Sequence, residues 1–307
     1  MDFLTIMKYL LIAVIVIYAI ALPINAYIKT KKIFSKGVKK HSNYHTHTTF
    51  CDGENSPEEM VLAAIDAGLP ELGFSGHSHI EGEPDWTMSV EGTKEYRETV
   101  LALKEKYKDK INIRLGIEQD YWSDTDGLSD YEYVIGAVHS LNGDDTTWSS
   151  VDYKIENFER CIELYCDGDK MTAVEKYFEL VGNLYEKTHC RIIAHFDTVT
   201  KFNKQFETET GKPYIDTEDE RYIAAEKKAL EKLTDTPVIF EINTGGMARG
   251  ICDKPYPSER VLKYLSEKGT PVILSSDAHS RDAITYGFDK ASELVLKYDL
   301  NLVTVLD

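Results

Sequence analysis

The sequence has few basic residues for its length. Its 307 residues include 35 Lys and Arg against 52 Asp and Glu, which gives a formal net charge of −17 at pH 7. Binding to DNA or RNA depends on lysines and arginines that neutralise phosphates, so this balance argues against a nucleic-acid partner. A small phosphorylated substrate remains compatible, because bound metal ions can supply local positive charge.

The sequence also lacks a cysteine framework. Its five cysteines are odd in number and include no Cys-x-x-Cys pair. This usage is typical of a reducing compartment and excludes a disulfide scaffold. No Gly-x-Gly-x-x-Gly loop follows a predicted strand, and there are no internal repeats or low-complexity tracts.

A long apolar run lies near the N-terminus. The segment from Tyr9 to Ile24, with its flanks, reaches the length of about 17–25 residues that crosses a bilayer. Six lysines follow it and only Lys8 closely precedes it, so the positive-inside rule places the C-terminal body in the cytoplasm, anchored to the inner face of the membrane through residues 9–27. A cleaved signal peptide and a plain extension are the alternatives. We expect residues 1–40 to form a hydrophobic helix with a basic linker, and residues 41–307 to form the catalytic domain.

Beyond residue 42, apolar strands alternate with helices. Strands buried on both faces indicate a parallel sheet, and alternating βα units over about 260 residues predict a barrel near the TIM type, with a doubly wound open sheet as the alternative. The first of seven predicted strands ends at His45 and His47. The other strands are Glu71–Ser75, Ile111–Glu118, Tyr133–Val138, Arg191–His195, Val238–Ile242 and Val272–Ser275. The predicted helices are Pro57–Ala67, Lys94–Lys108, Lys170–Lys187, one opened by a capping box at Thr217–Glu220, Ser258–Lys268, and one near Asp282.

Metal-binding side chains recur where these strands end. His45 and His47 are two residues apart, so on a strand they point the same way and can hold one cation together. Because the carboxyl ends of barrel strands meet at one rim, such groups should converge there. Seven of the nine histidines lie in these segments. The nine candidate ligands are His45, His47, Asp52, His77, Glu118, His139, His195, Asp277 and His279. That number suits two or three divalent ions of the Zn, Mn or Fe kind.

These motifs make the sequence similar to the polymerase and histidinol phosphatase (PHP) family of metallophosphoesterases. The matching pieces occur in the family's order. They are His45-Thr46-His47, Asp52-Gly53, His77, Gly116-Ile117-Glu118, Val138-His139-Ser140, Ala194-His195-Phe196-Asp197 and Ser276-Asp277-Ala278-His279. Three further segments resemble the histidinol-phosphatase branch: Tyr177-Phe178-Glu179, Glu241-Ile242-Asn243-Thr244 with Gly246 and Arg249, and Tyr256-Pro257-Ser258.

The resemblance implies a distorted (β/α)7 barrel with a trinuclear metal cluster held by the nine groups. The reaction it implies is hydrolysis of a phosphate monoester, most directly L-histidinol phosphate in histidine biosynthesis, by a metal-bridging hydroxide. We expect Glu118 to bridge the metals. His77, His79 and Asp197 are the candidates for the acid that protonates the leaving group. We predict that Arg249 grips the substrate phosphate, since a guanidinium fork matches phosphate geometry.

Other functions share the same metal set. A PHP-type protein-tyrosine phosphatase would suit a membrane anchor, and another small-molecule phosphoesterase would use the same ligands. A nuclease or proofreading module is disfavoured by the acidic composition. An inactive metal-binding scaffold has no need of nine intact ligands.

Overall fold

A parallel sheet of seven strands is the centre of the computed structural model, which describes residues 41–82, 85–145 and 149–307. The strands pair in chain order, each parallel to the next. They are β1 (Glu71–Phe74), β2 (Asn112–Asp120), β3 (Tyr133–Ala137), β4 (Ile192–Ile193), β5 (Ile239–Asn243), β6 (Pro271–Ser275) and β7 (Asn301–Leu302).

Helices connect most of these strands, as is usual for parallel pairing, whereas β2 and β3 are joined by a loop with a single 3₁₀ turn. The helices are α1 (Pro57–Ala67), α2 (Val90–Tyr107), α3 (Ile155–Tyr165), α4 (Lys170–Thr188), α5 (Asn203–Thr210), α6 (Glu220–Thr234), α7 (Gly245–Ala248), α8 (Glu259–Lys268) and α9 (Phe288–Tyr298). Short 3₁₀ turns occur at Leu128–Asp130, Gly143–Asp145, Thr198–Thr200 and Arg281–Ala283. The predicted α/β class is confirmed.

The sheet curls on itself, and the segment around His45 joins its two sides. Asn43 forms a parallel bridge with Leu72 on β1, and Thr46 forms one with Ala278 just after β6. The predicted first strand ending at His45 and His47 is present only as two isolated bridges and not as a regular strand. Backbone hydrogen bonds nevertheless join the segment to both neighbours, with the Gly73 amide donating to the Asn43 carbonyl at 2.8 Å and the Ala278 amide donating to the His45 carbonyl at 3.2 Å. The barrel-like curvature is confirmed, and the seventh regular strand is instead β7, which pairs with β6.

Two apolar clusters flank the sheet. The larger one lies between the strands and the helices and includes Phe74, Phe178 and Phe240. The smaller one fills the interior of the curled sheet and includes Tyr44 and Tyr133. Every residue of β1, β3 and β5 is buried, as expected for a parallel sheet covered on both faces.

Local capping decides where the helices begin. Ser56 and Glu59 form the predicted capping box of α1, and Gly68 ends that helix at φ 69°. Helix α6 begins at Glu220 with Asp219 as its N-cap, so the predicted capping box at Thr217 is wrong. Helix α2 begins at Val90, four residues before the predicted start, because Ser89 accepts a hydrogen bond from Gly92 and caps it there. Helices α3, α5 and α7 were not predicted from the sequence.

The predicted N-terminal helix and membrane segment, residues 1–40 and 9–27, lie outside the described residues. Within residues 41–82, 85–145 and 149–307, every helix is too short or too polar to cross a membrane.

Candidate metal centre and active site

The strand ends bring the predicted ligand segments against one another. His77 forms a parallel bridge with Glu118, the residue near the end of β2. On the other side, the His47 amide donates to the Ala278 carbonyl at 2.9 Å, which sets the His45–His47 segment beside Asp277 and His279. Segments far apart in sequence therefore meet at one rim.

Glu118 lies at the centre of this rim and faces five imidazoles. Its Oε2 is 2.9 Å from His77 Nδ1, 3.2 Å from His45 Nε2 and 3.5 Å from His47 Nε2. Its Oε1 is 3.1 Å from His195 Nε2 and 3.5 Å from His139 Nε2. One carboxylate therefore joins five histidines from four different segments.

Asp52 and Asp277 complete the rim on either side of His279. Asp52 Oδ2 lies 3.3 Å from His279 Nε2, and Asp52 Oδ1 lies 3.6 Å from His77 Nε2. Asp277 Oδ1 lies 3.2 Å from His47 Nε2 and 3.6 Å from His45 Nε2. All nine predicted residues are thus gathered in one place.

Two glycines allow the carboxylates to reach this place. A Cβ on Gly53 would lie 2.4 Å from the Thr48 amide nitrogen, so only glycine lets the loop fold back and return Asp52 to His47. A Cβ on Gly245 would lie 2.6 Å from Asp277 Oδ2. Asp277 itself has φ 47°, a left-handed conformation that aspartate tolerates better than most residues.

Burial and mutual contact shift the pKa values of these groups in opposite directions. Burial lowers the pKa of His47 to about 3, helped by the neighbouring His279 and His77. Burial alone would also lower the pKa of His45, but Glu241, Glu118 and Asp277 raise it well above its ordinary value. Burial opposes ionisation of Glu118, yet the surrounding histidines hold its pKa well below the usual range. Ionised carboxylates and uncharged imidazoles such as His47 are the protonation states that metal ligands require.

Several buried atoms of the cluster have no hydrogen-bond partner among the described residues. They include His45 Nε2, His47 Nε2 and Glu118 Oε2, which lie within 3.5 Å of one another's side chains but not in hydrogen-bond geometry. Leaving buried polar atoms unpaired costs free energy, so this arrangement needs a ligand to satisfy them. Three overlapping groups bring their ligand atoms within 4.8 Å of one another: His47, Asp52, His77 and His279; His45, His47 and Glu118; and His77, Glu118 and His139. The donor set fits divalent metal ions of the Zn, Mn or Fe kind.

Two further carboxylates contact the Nδ1 atoms of His45 and His139 and so orient their rings. Neither was assigned a role from the sequence. Glu241 Oε1 lies 2.7 Å from His45 Nδ1, and Asp120 Oδ2 lies 3.1 Å from His139 Nδ1. Such contacts fix the ring orientation of a metal-binding histidine. Asp120 was detectable in the sequence, because it lies two residues after Glu118 on the same strand and shares its face.

The cluster forms the floor of a cavity of about 300 Å³. Arg249 lies on its edge, with Nη2 at 3.2 Å from Asp277 Oδ2 and Nη1 at 2.9 Å from His279 Nδ1. The remaining wall includes Gly246 and Tyr256, which belong to the family-like segments of the sequence. It also includes residues that the sequence did not indicate: Asp85, Trp86, Ser150, Asp152, Tyr153, Thr198 and Lys201.

The three predicted proton donors take different positions. His77 lines the cavity. Among the described residues, the cavity wall includes neither His79 nor Asp197. The His79 ring contacts the Met88 carbonyl at 3.2 Å. Asp197 is buried and accepts a hydrogen bond of 2.7 Å from the amide of Ser258, the N-cap of α8. Burial raises the pKa of Asp197 to about 7.

The curled parallel sheet and the histidine–carboxylate cluster at its rim define a metal-binding α/β barrel protein. A model of the PHP domain matches residues 43–245, which is more than half of the chain. The chain therefore belongs to the PHP domain family.

Curated relatives span nearly the same length. The chain is 28% identical over 257 residues to a "probable histidinol-phosphatase" of Deinococcus radiodurans, covering 80% of this chain and 89% of that protein. It is 25% identical over 268 residues to the histidinol-phosphatase of Bacillus subtilis, covering 80% and 96%.

Solved structures share the fold. HisK from Listeria monocytogenes superposes with a TM-score of 0.68 at 23% identity, covering 81% of this chain and 99% of that one. Histidinol phosphate phosphatase from Lactococcus lactis, complexed with zinc, L-histidinol and phosphate, superposes with a TM-score of 0.62 at 23% identity, covering 86% and 95%.

Replacing Glu118 with glutamine is expected to reduce the bound metal by at least half. The amide removes the central negative charge, and its NH2 group faces histidine nitrogens that must be free to bind metal. Metal content of the purified protein, measured by inductively coupled plasma mass spectrometry, checks this. Glu226→Gln is the matched control, because Glu226 is equally buried but pairs with Arg260 at 2.7 Å, away from the cluster. Unchanged metal in Glu118→Gln would contradict the central role of this carboxylate.

Proposed function

We propose that this protein is a metal-dependent phosphate monoester hydrolase that converts L-histidinol phosphate and water into L-histidinol and phosphate. The observation that carries the proposal is the convergence of six histidines and three carboxylates at one rim, where all but His45 and His47 line a single cavity with Arg249 at its edge. Two curated relatives that align with this chain over most of their length are named histidinol-phosphatases, which supports the choice of substrate.

The nine side chains of the rim act in this proposal as the metal ligands. Bound divalent ions would activate a water molecule and neutralise the charge of the phosphate oxygens. Glu118 contributes to more than one metal position, because its two oxygens face different histidines. Glu241 and Asp120 hold His45 and His139 in orientation, so the rim is preorganised before substrate binds.

Arg249 binds the substrate phosphate in this proposal. Its guanidinium already lies against Asp277 and His279, so a phosphate on the cavity floor is within its reach. The fork of N–H donors can hold two phosphate oxygens at once and fix the phosphorus for in-line attack.

A protein-tyrosine phosphatase is the second candidate. A groove of about 550 Å³ adjoins the cavity and shares Tyr153, Lys201 and Arg249 with it, then continues along Phe202 and Lys204. That length of groove would accommodate a leaving group larger than histidinol.

Activity of the full-length protein, loaded with Zn or Mn, separates these functions. L-Histidinol phosphate should be hydrolysed with a kcat/KM at least tenfold above that of a phosphotyrosine peptide, and an oligonucleotide should not be cleaved. Preference for the peptide would favour the tyrosine phosphatase. Bound metal without turnover of any substrate would identify a scaffold and refute the proposal.

Arg249→Ala should raise KM for L-histidinol phosphate by about tenfold or more, because a hydrogen bond to a charged group contributes roughly 1.5–3 kcal/mol. Metal content should stay within twofold of the wild type. Steady-state kinetics with metal analysis checks both, and Arg281→Ala, an exposed arginine outside the cavity wall, is the control. Loss of metal with little change in KM would show that Arg249 supports the cluster instead.

We also propose that residues 41–307 form the catalytic domain in the cytoplasm and that residues 9–27 attach it to the inner face of the membrane. The apolar run and the lysines that follow it support this arrangement. On fractionation, the full-length protein should sediment with membranes and be released by detergent but not by high salt. Recovery in the supernatant without detergent would refute the anchor.

A further inference from the structure

Lys201 is a partly buried lysine on the cavity wall with no role in the reaction described above. It follows the 3₁₀ turn Thr198–Thr200, six residues after His195. Its side chain is only 16% exposed, although lysine seldom remains this enclosed without a specific partner. The fold alone gives no reason to place an ammonium group beside a metal-binding floor.

The ammonium of Lys201 is only partly engaged by the protein. Its Nζ donates to the backbone carbonyl of Asp152 and lies 3.9 Å from the Asp152 carboxylate, beyond hydrogen-bond length. An ammonium carries three N–H donors. Donors therefore remain for a group bound in the cavity.

The other groups near the floor are poorly suited to give up a proton. His79 and Asp197 are held by Met88 and Ser258, away from the described cavity wall. His77 contacts Glu118 and Asp52 within the metal cluster. Arg249 does not deprotonate under ordinary conditions. Burial raises the pKa of Tyr256 well above its usual range, which makes it a weak acid.

The surroundings of Lys201 favour release of its proton. Burial is the main influence that lowers its pKa, and the charge of Arg249 acts in the same direction. The carboxylates of Asp152, Asp277 and Asp52 oppose this, but the pKa remains below the ordinary lysine value. Cations bound at the floor would act as Arg249 does.

We propose that Lys201 is the general acid that protonates the leaving-group oxygen. This inference rests on the proposed phosphatase function. When the bond between phosphorus and the ester oxygen breaks, its electron pair stays on that oxygen. The oxygen then takes a proton from Nζ and leaves as the alcohol. The hydroxyl that joins phosphorus comes from water, and the neutral amine of Lys201 regains its proton from solvent.

A proton donor can be distinguished from a fixed positive charge by its dependence on the leaving group. An alkoxide needs a proton as it departs, whereas a nitrophenolate is stable without one. General acid catalysis contributes roughly 10²–10⁴-fold to rate. An enzyme that lacks its acid should therefore lose far more activity on alkyl phosphates than on an activated aryl phosphate.

The test compares Lys201→Met and Lys201→Arg in the full-length, metal-loaded protein. With L-histidinol phosphate and glycerol phosphate, kcat should fall about 100-fold or more in both variants. With p-nitrophenyl phosphate it should fall less than fivefold.

In the wild type, kcat on alkyl phosphates should decline as pH rises through the pKa of Lys201, since the acid must be protonated. This decline should vanish in Lys201→Met. Lys204→Met is the control, because Lys204 pairs with Asp253 at 2.6 Å in the outer groove.

Two results would overturn the assignment. Recovery of alkyl phosphatase activity in Lys201→Arg would show that only the charge matters, because arginine does not act as an acid at these pH values. Equal loss on alkyl and aryl substrates, in variants with normal metal content and melting temperature, would show a structural role. If Lys201→Met does not fold, Lys201→Arg still decides between charge and acid. A wild-type enzyme that hydrolyses no phosphate monoester at all would instead refute the proposed function, and the inference with it.

Discussion

The structure of the site depends on one buried negative charge. Glu118 is removed from water, and a carboxylate in such a place is stable only if positive or hydrogen-bonding groups surround it. Five histidines from four segments do so, within 3.5 Å of its two oxygens. The unpaired nitrogens of His45 and His47 show that the histidines and carboxylates do not fully satisfy one another. Divalent metal ions would pair with these unsatisfied atoms and balance the carboxylate charge, so the cluster and its metal ions stabilise one another.

The geometry of the curled sheet makes this unit achievable. Parallel strands all end at the same edge, and curling the sheet turns that edge into a rim. The irregular segment from Asn43 to His47 bridges both sides and brings two histidines into the gap. Regular pairing is unnecessary there, since two isolated bridges and the amide of His47 already hold the segment in register.

The protein is acidic overall, so the basic side chains at the cavity are an important source of positive charge for binding a phosphate. Arg249 and Lys201 lie on the wall above the metal floor, each beside a carboxylate from another segment. The Asp277 carboxylate and the Asp152 carbonyl hold these two side chains in place, and each side chain keeps N–H donors for a group bound in the cavity.

The sequence alone determined the architecture and the nine residues of the rim. Apolar strands that alternate with helices indicate a parallel sheet. His45, Glu118 and Asp277 belong to the sequence motifs of the PHP family. Asp219, rather than Thr217, proved to be the cap of α6, because several acceptors near a helix start compete and only backbone geometry selects one. The sequence could not place Lys201 in the cavity or remove Asp197 from it. Both follow His195 closely, but neighbours in sequence face different surroundings once the chain turns, so only tertiary packing decided which of them lines the cavity.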